Sequence, residues 1–242
     1  MATGRLVVLD LARVIALIGM AAFHFVFDLV MFGHLPPETV QFGFWPLFAR
    51  LVAGSFLFLA GVSLWLGHGA GIRWPSFWRR FAVVAAAAAV ITIGTYVAVP
   101  ENYIFFGILH SIALASLVGL LVLRLPVAVI LALAAAVVAM KVWGQADVFN
   151  AGVLRWTGLG TQPPSSMDYV PIFPWLAPYL AGLALSKLAD AFGLWGRAAA
   201  WMQGPGWARV TWPGRHSLVV YLVHQPLLIG LIYAVTWWMR RA

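Results

Sequence analysis

Residues 6–32 read LVVLDLARVIALIGMAAFHFVFDLVMF, an apolar stretch interrupted by four ionisable side chains, Asp10, Arg13, His24 and Asp28. A helix turns about 100° per residue, which places all four within about one sixth of its circumference. Ionisable groups at membrane depth cost about 2.5–3.5 kcal/mol each on insertion scales and tend to mark functional sites. The stretch therefore predicts a first membrane-spanning helix with a polar stripe that faces the interior of a bundle.

The composition of the whole chain is that of an integral membrane protein. Of its 242 residues, 63% are hydrophobic and 9% are charged, against about 25% charged in soluble domains. Continuous apolar runs at 81–93 and 127–140 favour helices over alternating strands. The absence of cysteine excludes disulfides and thiolate chemistry, and we expect no metal. The net charge of +8 lies mainly in short loops, so we expect no nucleic-acid partner.

Hydropathy predicts an all-α polytopic transmembrane bundle that forms a single integral membrane domain over 1–242. About seven spans are expected, and six to eight are compatible with the pattern. Their predicted limits are 6–32, 43–67, 80–99, 103–123, 125–143, 170–191 and 214–237.

The basic residues of the loops predict the orientation. They lie after the second span, between the fourth and fifth, and at or between the sixth and seventh: Arg73, Arg79, Arg80, Arg124, Lys187, Arg197, Arg209 and Arg215. The positive-inside rule then places the N-terminus in the cytoplasm and the C-terminus outside, in the inner (cytoplasmic) membrane of the cell. Arg240 and Arg241 oppose this orientation, and an eighth helix or a miscounted span would remove the conflict.

His24 and Asp28 lie one helical turn apart and predict a catalytic base. A carboxylate hydrogen-bonded to one imidazole nitrogen fixes the tautomer and raises the basicity of the ring, which acyl transfer to a hydroxyl or amine requires. His110 is expected at a depth similar to that of His24. Two alternatives remain open: His24 and Asp28 as an interhelical polar clamp, and His110 as a satisfied core histidine.

Asp10 and Arg13 lie one turn apart near the predicted inner end of the first span. They form either an intrahelical ion pair or a wall for an anionic cytoplasmic ligand, such as the phosphates of acyl-CoA, which an arginine fork suits. Arg13 and His24 are about 16 Å apart along a helix axis, so one helix could hold both ends of such a donor. Further basic candidates for the same role are Arg73, Arg79 and Arg80.

The last span carries a third polar group. Ser217, Tyr221 and His224 are spaced by four and three residues and share one helix face. They are either substrate-binding residues or interhelical hydrogen-bonding groups. Pro226 interrupts the hydrogen-bond ladder near the middle of the membrane and frees a carbonyl. The longest connection, about 142–169, is either a lid or binding loop or a simple connector.

Four blocks of the chain resemble one family in the expected order. They are LDLARVIALIGMAAFHFVFDL at 9–29, FGILHSIALASL at 106–117, MDYVPIFPWLAPYLAGLAL at 167–185 and GRHSLVVYLVHQPLL at 214–228. Together they resemble bacterial proteins similar to the catalytic domain of heparan-alpha-glucosaminide N-acetyltransferase. The first block also resembles membrane acyltransferases that modify surface sugars, which share an Arg and then a His on the first helix.

The resemblance implies a polytopic enzyme that moves an acyl group, usually acetyl, from cytoplasmic acyl-CoA to an acceptor on the far side of the membrane. A carbohydrate is one candidate acceptor. The block with Asp168, Tyr169 and Trp175 is implied to bind it. One departure from the family pattern is Val14, where the family usually has Gly; this alters helix packing but removes no chemical group.

We therefore expect a transmembrane acyltransferase that uses acetyl-CoA or another acyl-CoA as donor. In this hypothesis His24, oriented by Asp28, deprotonates the acceptor, and His110 assists or holds it. The expected partners are the lipid bilayer, acyl-CoA and an unidentified acceptor, and a homo-oligomer or larger membrane complex is compatible with the sequence. The alternatives are a non-enzymatic transporter or accessory subunit, and a haem-binding bundle that uses His24, His110 and His224.

Overall fold

The structure is a computed structural model that describes residues 6–201 and 206–241, and within these residues it contains helices and no strand. The all-α prediction is confirmed. The α-helices of the described residues are α1 Val7–Met31, α2 Glu38–Gln41, α3 Phe44–His68, α4 Trp74–Ala98, α5 Ile108–Val122, α6 Val127–Trp143, α7 Ile172–Ala191, α8 Leu194–Trp201, α9 Trp207–Val210, α10 Trp212–Arg215 and α11 Ser217–Met239. Short 3-10 helices cover Pro100–Asn102, Asp147–Asn150 and Gly152–Thr157.

Five helices, α1, α3, α4, α7 and α11, are long and apolar enough to cross a membrane. Helices α5 and α6 are apolar but shorter, with 15 and 17 residues. These seven apolar helices lie in the order of the seven predicted spans, and five of them have the length of a span. The largest differences are that α4 begins at Trp74 rather than at 80, since Pro75 fits the first turn of a helix, and that α5 begins only at Ile108.

The chain divides into two compact units. The first comprises 1–56 and 195–242 and so contains α1, α2, the first half of α3, nearly all of α8, and the helices from α9 to α11. The second comprises 57–194 and contains the rest of α3 and the helices from α4 to α7. The single membrane domain expected over 1–242 stays a prediction.

In the first unit, α1 and α11 run parallel to each other. In the last turn of α1, Asp28 Oδ1 accepts a hydrogen bond at 2.6 Å from Gln225 Nε2, which lies in the first half of α11. Beyond it, His34 Nε2, just after α1, lies 2.7 Å from Thr236 Oγ1 near the end of α11. The C-terminal end of α11 therefore lies at the same end of this unit as the connection that follows α1.

Because α1 and α11 run parallel, Arg240 and Arg241 lie at the opposite end of the first unit from the start of α1. The predicted orientation of the chain in the membrane stays a prediction. The Arg241 guanidinium lies 3.8 Å from the centroid of the Trp237 ring. A cation stacked on an aromatic ring is typical of a helix end at a membrane interface.

The starts of α1 and of the α10–α11 segment meet through a glycine. A Cβ at Gly214 would overlap the main-chain carbonyl of Asp10 and would contact Val14. The backbone of α10 therefore approaches α1 directly, which small residues permit in membrane helices. Val14 touches this contact without preventing it.

In the second unit, α3 and α7 also pack through glycines. A Cβ at Gly61 would overlap the carbonyl of Tyr179, and a Cβ at Gly182 would overlap the carbonyl of Phe58. Ser186 Oγ adds a hydrogen bond to the Val62 carbonyl at 3.3 Å. This reciprocal contact fixes the crossing of the two helices.

The two ends of the second unit differ in charge. At one end, Lys187 Nζ donates to the Leu125 carbonyl at 2.8 Å, and Arg124 donates to the Gly69 carbonyl at 3.2 Å, so both side chains neutralise carbonyls at helix ends. Arg73 at the start of α4 lies at this same end. These three basic residues are among those from which the positive-inside rule predicts the orientation, and the structure places them at one end of the second unit.

The opposite end of the second unit carries the long connection, which is ordered. Its main chain bonds to the segment before α5, with Met167 N donating to the Asn102 carbonyl at 2.9 Å and Val170 N to the Phe106 carbonyl at 3.1 Å. Lys141 Nζ donates to the Gly158 carbonyl at 2.6 Å. The reading of 142–169 as a loosely attached connector is therefore wrong.

We predict that Gly61→Ala lowers the melting temperature of the detergent-solubilised protein. The added methyl group meets the backbone of Tyr179 rather than a side chain that can move, and overpacking of this kind costs about 1–3 kcal/mol. Gly94→Ala in α4 is the matched control because a Cβ there has no atom within 4 Å. It should be neutral or slightly stabilising. Equal melting temperatures for both variants would contradict the close crossing of α3 and α7.

Candidate functional site

Four polar side chains of the first unit meet where α1 and α11 face each other. The imidazoles of His24 on α1 and His224 on α11 have ring centroids 5.0 Å apart, in an edge-to-face arrangement. One turn further along α1, the carboxylate of Asp28 meets the amide of Gln225. We call these four residues the outer cluster. The first three were predicted as site residues, and the structure brings them together.

The fully buried carboxylate of Asp28 takes its hydrogen bond from Gln225 and not from His24. His24 Nδ1 is buried without a hydrogen-bond partner in the described chain. The expectation that Asp28 orients His24 is therefore wrong in detail, because the Gln225 amide reaches Asp28 Oδ1 across the helix interface. Sequence reasoning missed Gln225, although it is a polar residue in an apolar span and directly follows His224.

The outer cluster has unused hydrogen-bonding capacity. Within the described residues, four of its buried polar atoms have no partner: His24 Nδ1, Asp28 Oδ2, His224 Nε2 and Gln225 Oε1. Buried polar atoms are nearly always hydrogen-bonded in folded proteins. Four buried polar atoms without a partner in one cluster are typical of a site that binds a polar group.

A second polar group, the inner cluster, lies at the start of α1. Arg13 Nη1 lies 2.9 Å from Asp10 Oδ1, and Arg215 Nε lies 3.7 Å from Asp10 Oδ2. The Asp10 side chain is 3% exposed, whereas the arginine side chains are 25% and 26% exposed. The predicted ion pair is present, and a second arginine joins it, so the cluster carries one net positive charge with partly accessible guanidinium groups.

Arg215 is held in place by its own segment. Its Nε also donates to Thr211 Oγ1 at 3.1 Å, and Thr211, which is fully buried, donates to the Trp207 carbonyl. The sequence marked Arg215 only as a topology-setting loop charge. Its position beside Asp10 depends on contacts between residues about 200 apart, which no local pattern reveals.

His110, in the second unit, has both ring nitrogens engaged. Nδ1 accepts from the Gly107 main-chain N–H at 3.2 Å, so Nε2 carries the proton and donates to Thr92 Oγ1 at 3.2 Å. The Thr92 hydroxyl in turn donates to the Ile104 carbonyl at 2.7 Å. With its lone pair used at the start of α5, His110 has the contacts of a satisfied structural histidine. Its expected role in catalysis stays a prediction.

Asp168 also serves the start of α5. Its Oδ2 accepts from the Ile108 N–H at 3.0 Å, and a Cβ at Gly107 would overlap this carboxylate. Burial raises the pKa of Asp168 to about 6, and the hydrogen bond from Ile108 offsets part of that rise. A carboxylate at a helix N-terminus is a common capping arrangement.

The other residues expected to bind substrate are distributed between the units. Tyr169 Oη donates to the Arg155 carbonyl at 2.6 Å, and burial raises its pKa. Trp175 lies in the first turn of α7 and is half-buried. In the first unit, Tyr221 presents its carbonyl and ring to His224, and Ser217 begins α11. Only Tyr221 of these four contacts the outer cluster.

The remaining basic candidates belong to the second unit. Arg73 precedes α4 and donates from Nε to the Gly67 carbonyl at 2.9 Å, while Arg79 is exposed in its second turn. Arg80 lines a cavity with His68, Ser116 and the buried Tyr179. The structure thus gathers these three arginines at the start of one helix.

The distance between the His24 and His224 rings can be compared with that of two imidazoles bound to one haem iron. A metal bound by two imidazoles at about 2 Å each would hold the ring centroids about 6 Å apart. His24 and His224 are closer than this and meet edge to face. In the described residues there is also no group of three or more His, Cys, Asp or Glu side chains that could hold a metal ion.

Comparison with known families gives a single clear result. The model of the catalytic region of heparan-alpha-glucosaminide N-acetyltransferase matches residues 5–226. The chain belongs to this family. The resemblance inferred from the four blocks is confirmed, and the chain is an integral membrane member of a transmembrane acetyltransferase family. Comparisons with curated proteins and with solved structures gave no match.

The match to the heparan-alpha-glucosaminide N-acetyltransferase family includes every residue of both clusters. It begins before Asp10 and ends at Pro226, directly after Gln225. The part of α11 beyond Pro226, including Thr236, lies outside it.

We predict that Gln225→Leu destabilises this family member by about 1–3 kcal/mol, because it leaves the buried Asp28 carboxylate without its hydrogen bond. The double variant Asp28→Leu with Gln225→Leu should recover much of the loss, since neither partner then remains unsatisfied. Thermal unfolding in detergent measures both variants. Independent, additive losses would contradict a direct coupling between the two side chains.

We predict a pH-dependent effect for Asp168→Asn. Because folding raises the pKa of Asp168 from 3.8 to about 6, ionisation costs folding free energy that is absent below about pH 4 and complete above about pH 6. The asparagine keeps an acceptor for Ile108 but has no charge. The melting temperature of Asp168→Asn relative to wild type should therefore rise between pH 4 and 7, and a difference independent of pH would contradict the assignment.

Proposed function

We propose that this protein transfers an acyl group, acetyl in the first instance, from acyl-CoA on the cytoplasmic side to a hydroxyl or amine acceptor on the far side of the inner membrane. In this proposal the N-terminus is cytoplasmic, and the inner cluster faces the donor. The proposed acceptor is any polar molecule with a reactive hydroxyl or amine group, and carbohydrates are the first candidates.

One observation carries the proposal. Two parallel helices, α1 and α11, hold a cationic cluster at one end and a base-bearing cluster further along the same pair. Arg13 and His24 are separated by about 16 Å along the axis of α1. The arginine forks of Arg13 and Arg215 suit phosphate groups, and the imidazoles of the outer cluster suit proton removal.

The proposed reaction is a direct transfer. The acceptor oxygen or nitrogen attacks the thioester carbonyl, a new bond to the acyl carbon forms, and the carbon–sulfur bond breaks with its electron pair on sulfur. His24 takes the proton from the acceptor, and the proton finally reaches the thiolate to give free CoA. In the first unit, Arg13 and Arg215 are the proposed contacts for the donor phosphates. Arg73, Arg79 and Arg80 of the second unit are separate candidates for donor binding.

The remaining candidates have supporting roles in this proposal. His110 and Asp168 accept hydrogen bonds from the main chain at the start of α5 and so hold this helix in position within the second unit. In the second unit, Tyr169 and Trp175 are proposed as acceptor-binding residues on the strength of the family pattern. In the first unit, Ser217 and Tyr221 are separate candidates because they share a face of α11 with His224. His224 belongs to the reaction centre itself through its contact with His24.

The test is acetyl-CoA turnover by the purified protein in proteoliposomes with a mixture of sugar and amine acceptors. His24→Gln should lower kcat by about 10²–10⁴, the usual contribution of a general base. Arg13→Gln should instead raise KM for acetyl-CoA by about tenfold or more, since hydrogen bonds between charged groups contribute about 1.5–3 kcal/mol.

Phe25→Ala is the matched control, because Phe25 is 41% exposed next to His24 and contributes no polar group. It should leave both constants close to those of the wild type. Unchanged turnover in His24→Gln would refute the assigned base. Absence of CoA binding together with stable co-purification in a larger complex would favour an accessory subunit over an enzyme.

A further inference from the structure

The tautomer of His224 is fixed by its own helix. Its Nδ1 lies at hydrogen-bond distance from the Tyr221 carbonyl, one turn earlier on α11. A carbonyl oxygen can only accept, so Nδ1 carries the proton. In the neutral ring the lone pair is therefore on Nε2, an atom that is buried and has no hydrogen-bond partner in the described chain.

This lone pair belongs to a ring that contacts the proposed base. The imidazoles of His24 and His224 meet with centroids 5.0 Å apart and planes inclined by 64°. His24 Nδ1 is also buried and without a partner among the described residues. The two rings are adjacent, and each has one buried nitrogen that is hydrogen-bonded neither to the other ring nor to any other described residue.

We propose that His224 is a second catalytic residue and that His24 and His224 act as one base holding a single proton, an inference that rests on the proposed acyl transfer. The proton of the acceptor passes to His24 and can be shared with His224 Nε2. As the carbon–sulfur bond breaks, the pair returns this proton to the thiolate. The proton count of the pair is therefore the same before and after the reaction.

The charges around the pair limit it to one proton. On α1, the carboxyl group of Asp28 lies one turn beyond His24 and is the acidic side chain of the outer cluster. On α11, the neighbouring groups are the neutral Tyr221 and Gln225, and no lysine or arginine is recorded in contact with either ring among the described residues. A second proton would place two positive charges in one buried space, which Coulomb repulsion disfavours.

Gln225 is a positioning residue for this pair. Its amide nitrogen donates to Asp28 Oδ1 at 2.6 Å and so ties α11 to α1 directly beside His224. The same bond fixes the orientation of the amide, whose Oε1 is then available as an acceptor. The register that places His224 opposite His24 depends on this contact.

The first experiment is a double-mutant cycle on acetyl-CoA turnover with His24→Gln, His224→Gln and the double variant. His224→Gln should lower kcat by about 10²–10⁴ while KM for acetyl-CoA stays within about twofold, because the donor is held at the inner cluster. The double variant should be no slower than the slower single variant, since residues that act as one unit give non-additive losses.

His216→Gln is the matched control. His216 lies just before α11, and its Nδ1 is 3.0 Å from the Trp212 carbonyl, so it has the same type of main-chain contact as His224 but lies outside the outer cluster. Its kcat should stay within about twofold of wild type. A His224→Gln variant with wild-type kcat, or losses that multiply in the double variant, would overturn the shared base.

The second experiment does not depend on activity. Nitrogen-15 NMR of histidine-labelled protein, with the His224 signal assigned through His224→Gln, should show a protonated Nδ1 and an unprotonated Nε2 at neutral pH. A protonated Nε2 would overturn the proposal even if the protein is an acyltransferase. If the wild type shows no acyl transfer with any acceptor, the proposed function fails and the catalytic role of His224 fails with it, whereas the tautomer is still decided.

Discussion

The hydrogen bond between Gln225 and Asp28 is the constraint on which the first unit depends. A carboxylate with no exposed surface needs a partner, and the nearest one that the chain supplies comes from a helix 197 residues away. Because unsatisfied polar groups are costly in an apolar environment, this bond selects one register of α11 against α1. That register places His224 opposite His24 and brings α10 against the start of α1.

The two units use different means to hold their helices together. In the second unit, α3 and α7 approach through Gly61 and Gly182, and basic side chains such as Lys187 close the helix ends. In the first unit, the recorded contacts between α1 and the α10–α11 segment include several between polar or charged side chains. Apolar packing through small residues stabilises a helix pair but supplies no reactive group. A polar interface also holds reactive atoms in a defined position.

The sequence predicted the fold well because its signals are local. Apolar runs locate the seven long apolar helices, and the polar stripe predicted on 6–32 lies on the face of α1 that contacts Arg215 and Gln225. It predicted the individual contacts less well. Asp28 was assigned to His24 because i and i+4 positions are neighbours on a helix, but the partner came from α11. The prediction for His110 depends on its expected depth in the membrane. Depth does not reveal the contacts with Gly107 and Thr92 that occupy its ring nitrogens.

The long sequence separation between α1 and α11 has a consequence for how the protein is made. A chain enters the membrane from its N-terminal side, so α1 arrives with Asp10, Arg13, His24 and Asp28 long before Gln225 and Arg215 exist. During that interval only Arg13, of the partners described, is available to balance a buried charge. The first helix must therefore be held in or beside the bilayer with its polar stripe protected, and the outer cluster can assemble only when α11 has been inserted alongside it.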